Sequence, residues 1–179
     1  MVNTIQCIEY YNAKLQHAKH SELMRLRCIL KLLKTMPANA QYDCDFNVGK
    51  LVECIVRYKL TNNSDTHFNF SGVDINNIKK FIPTSEINEC EIKACFGNGC
   101  YANGNKHSKC KYIVILNECG MYLFHDKHLV YKTSVPNKIK GNAFVLNNYE
   151  IEGKKVIEYA IENNFISELR KLVGWYGLN

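Results

Sequence analysis

With 179 residues, 46% of them apolar and 11% aromatic, the chain has the composition of one globular domain large enough to bury a core. Its net charge of +6 and isoelectric point near 8.8 are compatible with a polyanionic partner that makes phosphate contacts over one face. No stretch approaches the length of a membrane span, and Met1 to Tyr11 holds Glu9 and lacks the apolar core of a secretory signal, so a cytoplasmic chain with no membrane partner is expected.

The predicted elements give an α/β chain in one domain. Residues 4–19 show a weak helical period through Ile5, Ile8 and Leu15. Ser21 can cap a firmer helix with Leu23, Leu26, Leu30 and Leu33 on one face, ended by Met36-Pro37. With a polar connector over 37–47, these make a helical N-terminal extension, residues 1–47. A third helix is predicted from about Val48 to Leu60, burying Leu51, Val52, Ile55 and Val56. Strands follow near 67–74, 88–96, 111–117, 120–125 and 128–132, and the turn signal Asn117 to Gly120 makes the last three a meander. The expected core, 48–132, is thus a central mixed sheet of about five strands flanked by helices. Pro136, Lys138 and Gly141 break the chain before Phe144 to Leu146, and a helical tail over 152–173 completes a C-terminal segment, 133–179.

Residues 70–96 carry the chemistry. In Asn88 to Phe96 the side chains of Cys90, Ile92, Ala94 and Phe96 alternate with those of Glu91, Lys93 and Cys95, so a strand with one apolar face holds a carboxylate and an ammonium side by side on the other. Asp74 closes a short apolar run, Phe70 to Asp74, that reads as a neighbouring strand. Two carboxylates and a lysine are what metal-assisted phosphodiester cleavage asks for: ligands for a hard cation and a positive group beside the attacking water. The bland alternatives are a solvated Glu91–Lys93 pair on an edge strand and Asp74 as a helix cap before Asn76-Asn77-Ile78.

This order of parts resembles the PD-(D/E)xK nuclease superfamily over residues 49–124. A helix with a glutamate, Gly49 to Glu53, precedes the strand-end aspartate of Gly72-Val73-Asp74. Glu91-Ile92-Lys93 supplies the Glu-x-Lys, and Tyr112 to Leu116 the apolar strand after it; Val73 stands where proline often precedes the aspartate. The resemblance implies a Mg2+-dependent endonuclease, with Mn2+ able to substitute. Asp74, Glu91 and the Ile92 carbonyl would hold the metal, Lys93 would serve the water, and Glu53 would be an outer or water-mediated ligand. Glu53 also stands four residues before Arg57, where an ordinary helix ion pair is the competing reading. A type II restriction endonuclease cutting double-stranded DNA as a homodimer, leaving a 3′ hydroxyl and a 5′ phosphate, is the implied activity. A Holliday-junction resolvase or a phage nuclease shares the same core.

The connection from Cys95 to Cys110 is expected to be a loop against DNA, through Asn98, Asn103, Asn105, Lys106, His107 and Lys109. A competing class is a non-catalytic nucleic-acid-binding module whose loop is clipped by zinc on Cys95, Cys100, His107 and Cys110, although this spacing lacks tight ligand pairs at both ends. The nine cysteines, odd in number and scattered, are otherwise free thiols of a reducing cell. Phosphate-binding Gly-rich loops, Gly-x-Ser-x-Gly and His-Glu-x-x-His are missing, which excludes the enzyme classes they mark.

Overall fold

A computed structural model describes residues 1–61, 73–97, 110–127 and 159–179 in full, and 102–103, 128–135 and 139–146 by their backbone. Strand β1 (Val2–Asn3) leads directly into α1 (Thr4–Gln16), whose start is fixed by a capping box: the Asn3 side chain accepts from the Gln6 backbone, and the Gln6 side chain accepts from the Asn3 N–H. Helix α2 (His20–Leu33) buries Leu26, Ile29, Leu30, Leu32 and Leu33. It starts from Lys19 with no side-chain cap, so Ser21 lies within the helix. The connector predicted as polar contains β2 (Gln41–Tyr42), which pairs antiparallel with β1, and Tyr42 is fully buried with its hydroxyl 2.7 Å from that of Thr4.

Helix α3 (Val48–Leu60) has the predicted bounds. Asn47 caps it by accepting from the Lys50 N–H at 3.0 Å, and Leu51, Val52, Ile55 and Val56 are buried. A short α4 (Ile78–Phe81) precedes β3 (Glu91–Ala94). Strands β5 (Tyr112–Asn117) and β6 (Gly120–His125) form the predicted hairpin, with Asn117 opposite Gly120 and the Asn117 side-chain oxygen accepting from the N–H groups of Cys119 and Gly120. The preceding β4 (Ala102–Asn103) and the later β7 (Leu129–Val135) and β8 (Ile139–Leu146) belong elsewhere. Helix α5 (Asn164–Val173) runs from an Asn163 cap to Gly174, whose φ of 72° closes the helix in the left-handed form.

The expected five-strand sheet is corrected. The strands divide into a mixed three-stranded sheet ordered β3-β5-β6, an antiparallel one ordered β4-β8-β7, and the β1-β2 pair. Strand β3 runs parallel to β5, and β7 pairs with β8, so it does not extend the hairpin into a meander. In place of a strand ending at Asp74, residues 73–74 form a bend followed by a single antiparallel bridge, Ile75 to Cys90. Residues 62–72 lie outside the described residues, as do 152–158 of the predicted tail. The helix actually observed there starts at Asn164.

One apolar cluster unites α1, α2, α3, β3, β5, β6 and α5, so residues 1–47 share the core of 48–132. Trp175, 1% exposed, is its largest fully buried side chain, and donates from Nε1 to the Asn117 carbonyl at 2.9 Å. Among the described residues no helix is long and apolar enough to cross a membrane.

Candidate active site

Three elements meet at one carboxylate cluster. On α3 the spacing of Lys50, Glu53 and Arg57 puts all three on one face. Lys50 Nζ lies 3.5 Å and Arg57 Nη2 3.9 Å from Glu53 Oε2. Arg57 then reaches across to the bend. Its Nε donates to the Asp74 carbonyl at 2.8 Å, and its Nη2 stands 3.8 Å from Asp74 Oδ1. The bend is held against β3 by the two Ile75–Cys90 backbone bonds, each 3.0 Å, and by the Ile92 N–H, which donates to Asp74 Oδ2 at 2.7 Å. From β3 itself, the Glu91 carboxyl hydrogen-bonds to that of Asp74. Lys93, two residues on and half-buried, adds a positive charge that is felt by both Glu91 and Glu53.

Electrostatics record how tightly the carboxylates are gathered. Burial, then the hydrogen bond and charge of Asp74, push the Glu91 carboxyl up from 4.5 to about 7, against the pull of Lys93. Glu53, only 8% exposed, is raised by burial and by Asp74, with Lys50, Arg57 and Lys93 opposing. Glu91 therefore takes up its proton near neutrality. A divalent cation relieves the same repulsion, and an all-oxygen donor set suits a hard ion such as Mg2+, which usually needs only one or two carboxylates beside water and phosphate. Among the described residues no three His, Cys, Asp or Glu side chains converge closely enough to hold a metal by themselves. Asp74 and Glu91 are the two carboxylates that would hold such an ion, with water completing its shell.

Asp74, Glu91, Lys93 and Glu53 are thus brought together. Ile92 is buried, and the contact it makes to the cluster is through its N–H. Asp74 does not cap α4, whose N-cap is Asn77 at φ 55°. The Glu53–Arg57 ion pair is present, and it extends to Asp74 (a role for Arg57 that nothing in its neighbourhood of sequence signals). Glu91 and Lys93 do stand on an edge strand, as one of the alternatives has it: among the described residues β3 pairs with β5 on one side and on the other meets the Ile75 bridge at Cys90.

Most of the residues expected to contact DNA lie outside the described ones. Asn103 lies in β4 opposite Ala143 of β8, so it is a strand residue, whereas Asn98, Asn105, Lys106, His107 and Lys109 fall outside the described residues. Cys100 and His107 of the zinc reading fall there too. Cys95 is fully buried, and Cys110, 2% exposed, donates from its thiol to the Tyr112 carbonyl while burial raises its pKa to about 11.

Neither the family models, nor the curated proteins, nor the solved structures contain a match to the chain.

Proposed function

We propose that the protein is a Mg2+-dependent endodeoxyribonuclease, of the type II restriction endonuclease kind acting on double-stranded DNA. The observation that carries this reading is the meeting of Glu53, Asp74, Glu91 and Lys93 at one place from α3, the bend and β3. Buried carboxylates gathered around a lysine raise the folded state's electrostatic free energy, and such arrangements mark functional sites.

Each side chain has a task that its surroundings support. Asp74 is oriented by the Ile92 N–H and the Arg57 guanidinium, so its carboxylate is fixed before substrate arrives. Glu91, hydrogen-bonded to Asp74 and with its carboxyl raised to about 7, would give up its proton to a bound cation. Lys93 sits where an ammonium can hold the attacking water or stabilise charge on the scissile phosphate. Glu53 stands behind as an outer carboxylate, balanced by Lys50 and Arg57. When bound by Asp74 and Glu91, Mg2+ would supply Lewis-acid charge stabilisation and a more acidic water.

The test is incubation of supercoiled plasmid and phage DNA with magnesium or with chelator, beside Lys93→Ala and Asp74→Asn variants. Discrete magnesium-dependent bands lost in both variants support a sequence-specific endonuclease, and a smear supports non-specific or structure-selective cutting. Cleavage that survives in the variants sinks the site, and absence of cleavage on all substrates sinks the activity.

A further inference from the structure

Beside the N-terminus of α3 lies a second site, a cleft of about 180 Å³ between α1, α2 and the 46–48 segment. Its floor is apolar: Tyr11, Leu26, Phe46 and Val48. The floor is rigid, because the Tyr11 hydroxyl donates to the Phe46 carbonyl at 2.6 Å and Phe46 stacks on Tyr10 with ring centroids 4.1 Å apart. Its rim carries Lys14, Glu22 and Arg25, all exposed, and among the described residues none of the three is in an ion pair. Two exposed cations on the rim of one cleft suit a phosphate. The carboxylate of Glu22 would repel a bare anion, yet it accepts a hydrogen bond from an exocyclic amino group, as acidic side chains do from cytosine N4. Apolar floor, cationic rim and one acceptor together match a nucleotide better than phosphate alone.

We propose that this cleft takes one nucleotide of a DNA strand whose scissile phosphate lies at the Glu53–Asp74–Glu91 cluster. Lys14 and Arg25 hold its phosphate, and Glu22 reads an amino group on its base. The proposal rests on the nuclease reading for its register. Asn47 lines the cleft, and Lys50, Glu53 and Arg57 follow on α3 toward the cluster. At 1.5 Å per residue, Asn47 and Glu53 are about 9 Å apart along the helix, which is about two to three base steps of one strand.

Affinity for fluorescein-labelled DNA duplexes, measured by anisotropy in chelator, separates this from the cleavage chemistry. The Lys14→Gln, Arg25→Gln double variant keeps the side-chain stems and should melt as the parent does. We expect it to bind every duplex roughly 10-fold more weakly, with the salt slope reduced by about one, for the one phosphate released. Glu22→Ala should instead flatten the preference among duplexes that differ in sequence. Unchanged affinity and slope in the double variant would overturn the cleft even if the parent cleaves DNA. Parent affinity for a nucleoside monophosphate equal to that for duplex would overturn the strand register. A parent that binds but does not cleave removes the nuclease reading, and the double variant still decides the cleft.

Discussion

Asp74 illustrates how one side chain can serve structure and chemistry through different atoms. Its Oδ2 satisfies the Ile92 N–H and its Oδ1 faces Arg57, beside the proposed cation site, so truncation and charge removal should have different consequences. Asp74→Ala leaves a part-buried N–H without its acceptor, at about 1–3 kcal/mol. Asp74→Asn keeps an oxygen for that N–H and loses only the charge. Both should lower cleavage by about 10³-fold or more, while thermal melting separates them, with the Asn variant close to the parent and the Ala variant lower. Equal destabilisation by the two would mean that the charge, not the hydrogen bond, holds the bend. Glu91 makes a second test. Its folded pKa of about 7 exceeds the ordinary 4.5, so the folded state binds more protons than the unfolded chain between those values, and stability falls as pH rises through them. Glu91→Gln cannot ionise and can still hydrogen-bond to Asp74. In chelator it should match the parent below about pH 4.5 and exceed it by on the order of 2 kcal/mol above about pH 7. A variant whose advantage does not grow with pH would show that Glu91 is not strained by its neighbours.

At the scale of elements, sequence was legible where the information is local. The bounds of α3 follow from an Asn cap and an apolar face, and the β5–β6 hairpin follows from Asn117, whose side chain makes the turn's own hydrogen bonds. The alternation of Glu91, Ile92 and Lys93 could be read from β3 alone. Partner choice between strands is not local: nothing in Leu129–Val135 says that it will pair with β8 in a separate sheet. The bend at Asp74 is equally hidden, because it is fixed by Arg57 from α3 and Ile92 from β3, distant in sequence. The C-terminal anchor after α5 was also missed. There Trp175 packs against Phe96, and the backbone of 177–178 lies on the β5–β6 turn, with the Leu178 N–H donating to the Glu118 carbonyl at 3.0 Å. Gly177 has φ 92°, and a Cβ on it would lie 2.7 Å from that same carbonyl. Gly177→Ala should therefore lift the tail and cost about 1–3 kcal/mol, seen as a lower melting temperature with a red-shifted Trp175 emission. An unshifted emission spectrum would mean that the tail tolerates the methyl by moving without exposing the indole.

For the whole molecule, the shared core explains why a strained cluster can be tolerated. Elements from both ends of the chain, α1 and α5 included, bury side chains in the cluster that also holds β3. Aromatic and aliphatic burial on that scale offsets the repulsion among Glu53, Asp74 and Glu91. Binding of a cation at the cluster should then appear as global stability, because an ion that binds only the folded state stabilises it by mass action. At about ten times its dissociation constant, Mg2+ should add about 1.4 kcal/mol, a rise of a few degrees in melting temperature. Protons compete for the same oxygens, so the sign of the pH effect is fixed. The Mg2+-induced rise should be small near pH 5, where Glu91 is protonated, and should grow until pH exceeds about 7. In Glu91→Gln the rise should shrink and lose its pH dependence, whereas Lys93→Ala should keep it, because the ammonium supplies no ligand. Melting curves with and without Mg2+ across this range, for the three proteins, check the assignment independently of any DNA substrate. A rise that is the same at every pH, or that survives Glu91→Gln unchanged, would place the cation away from Asp74 and Glu91.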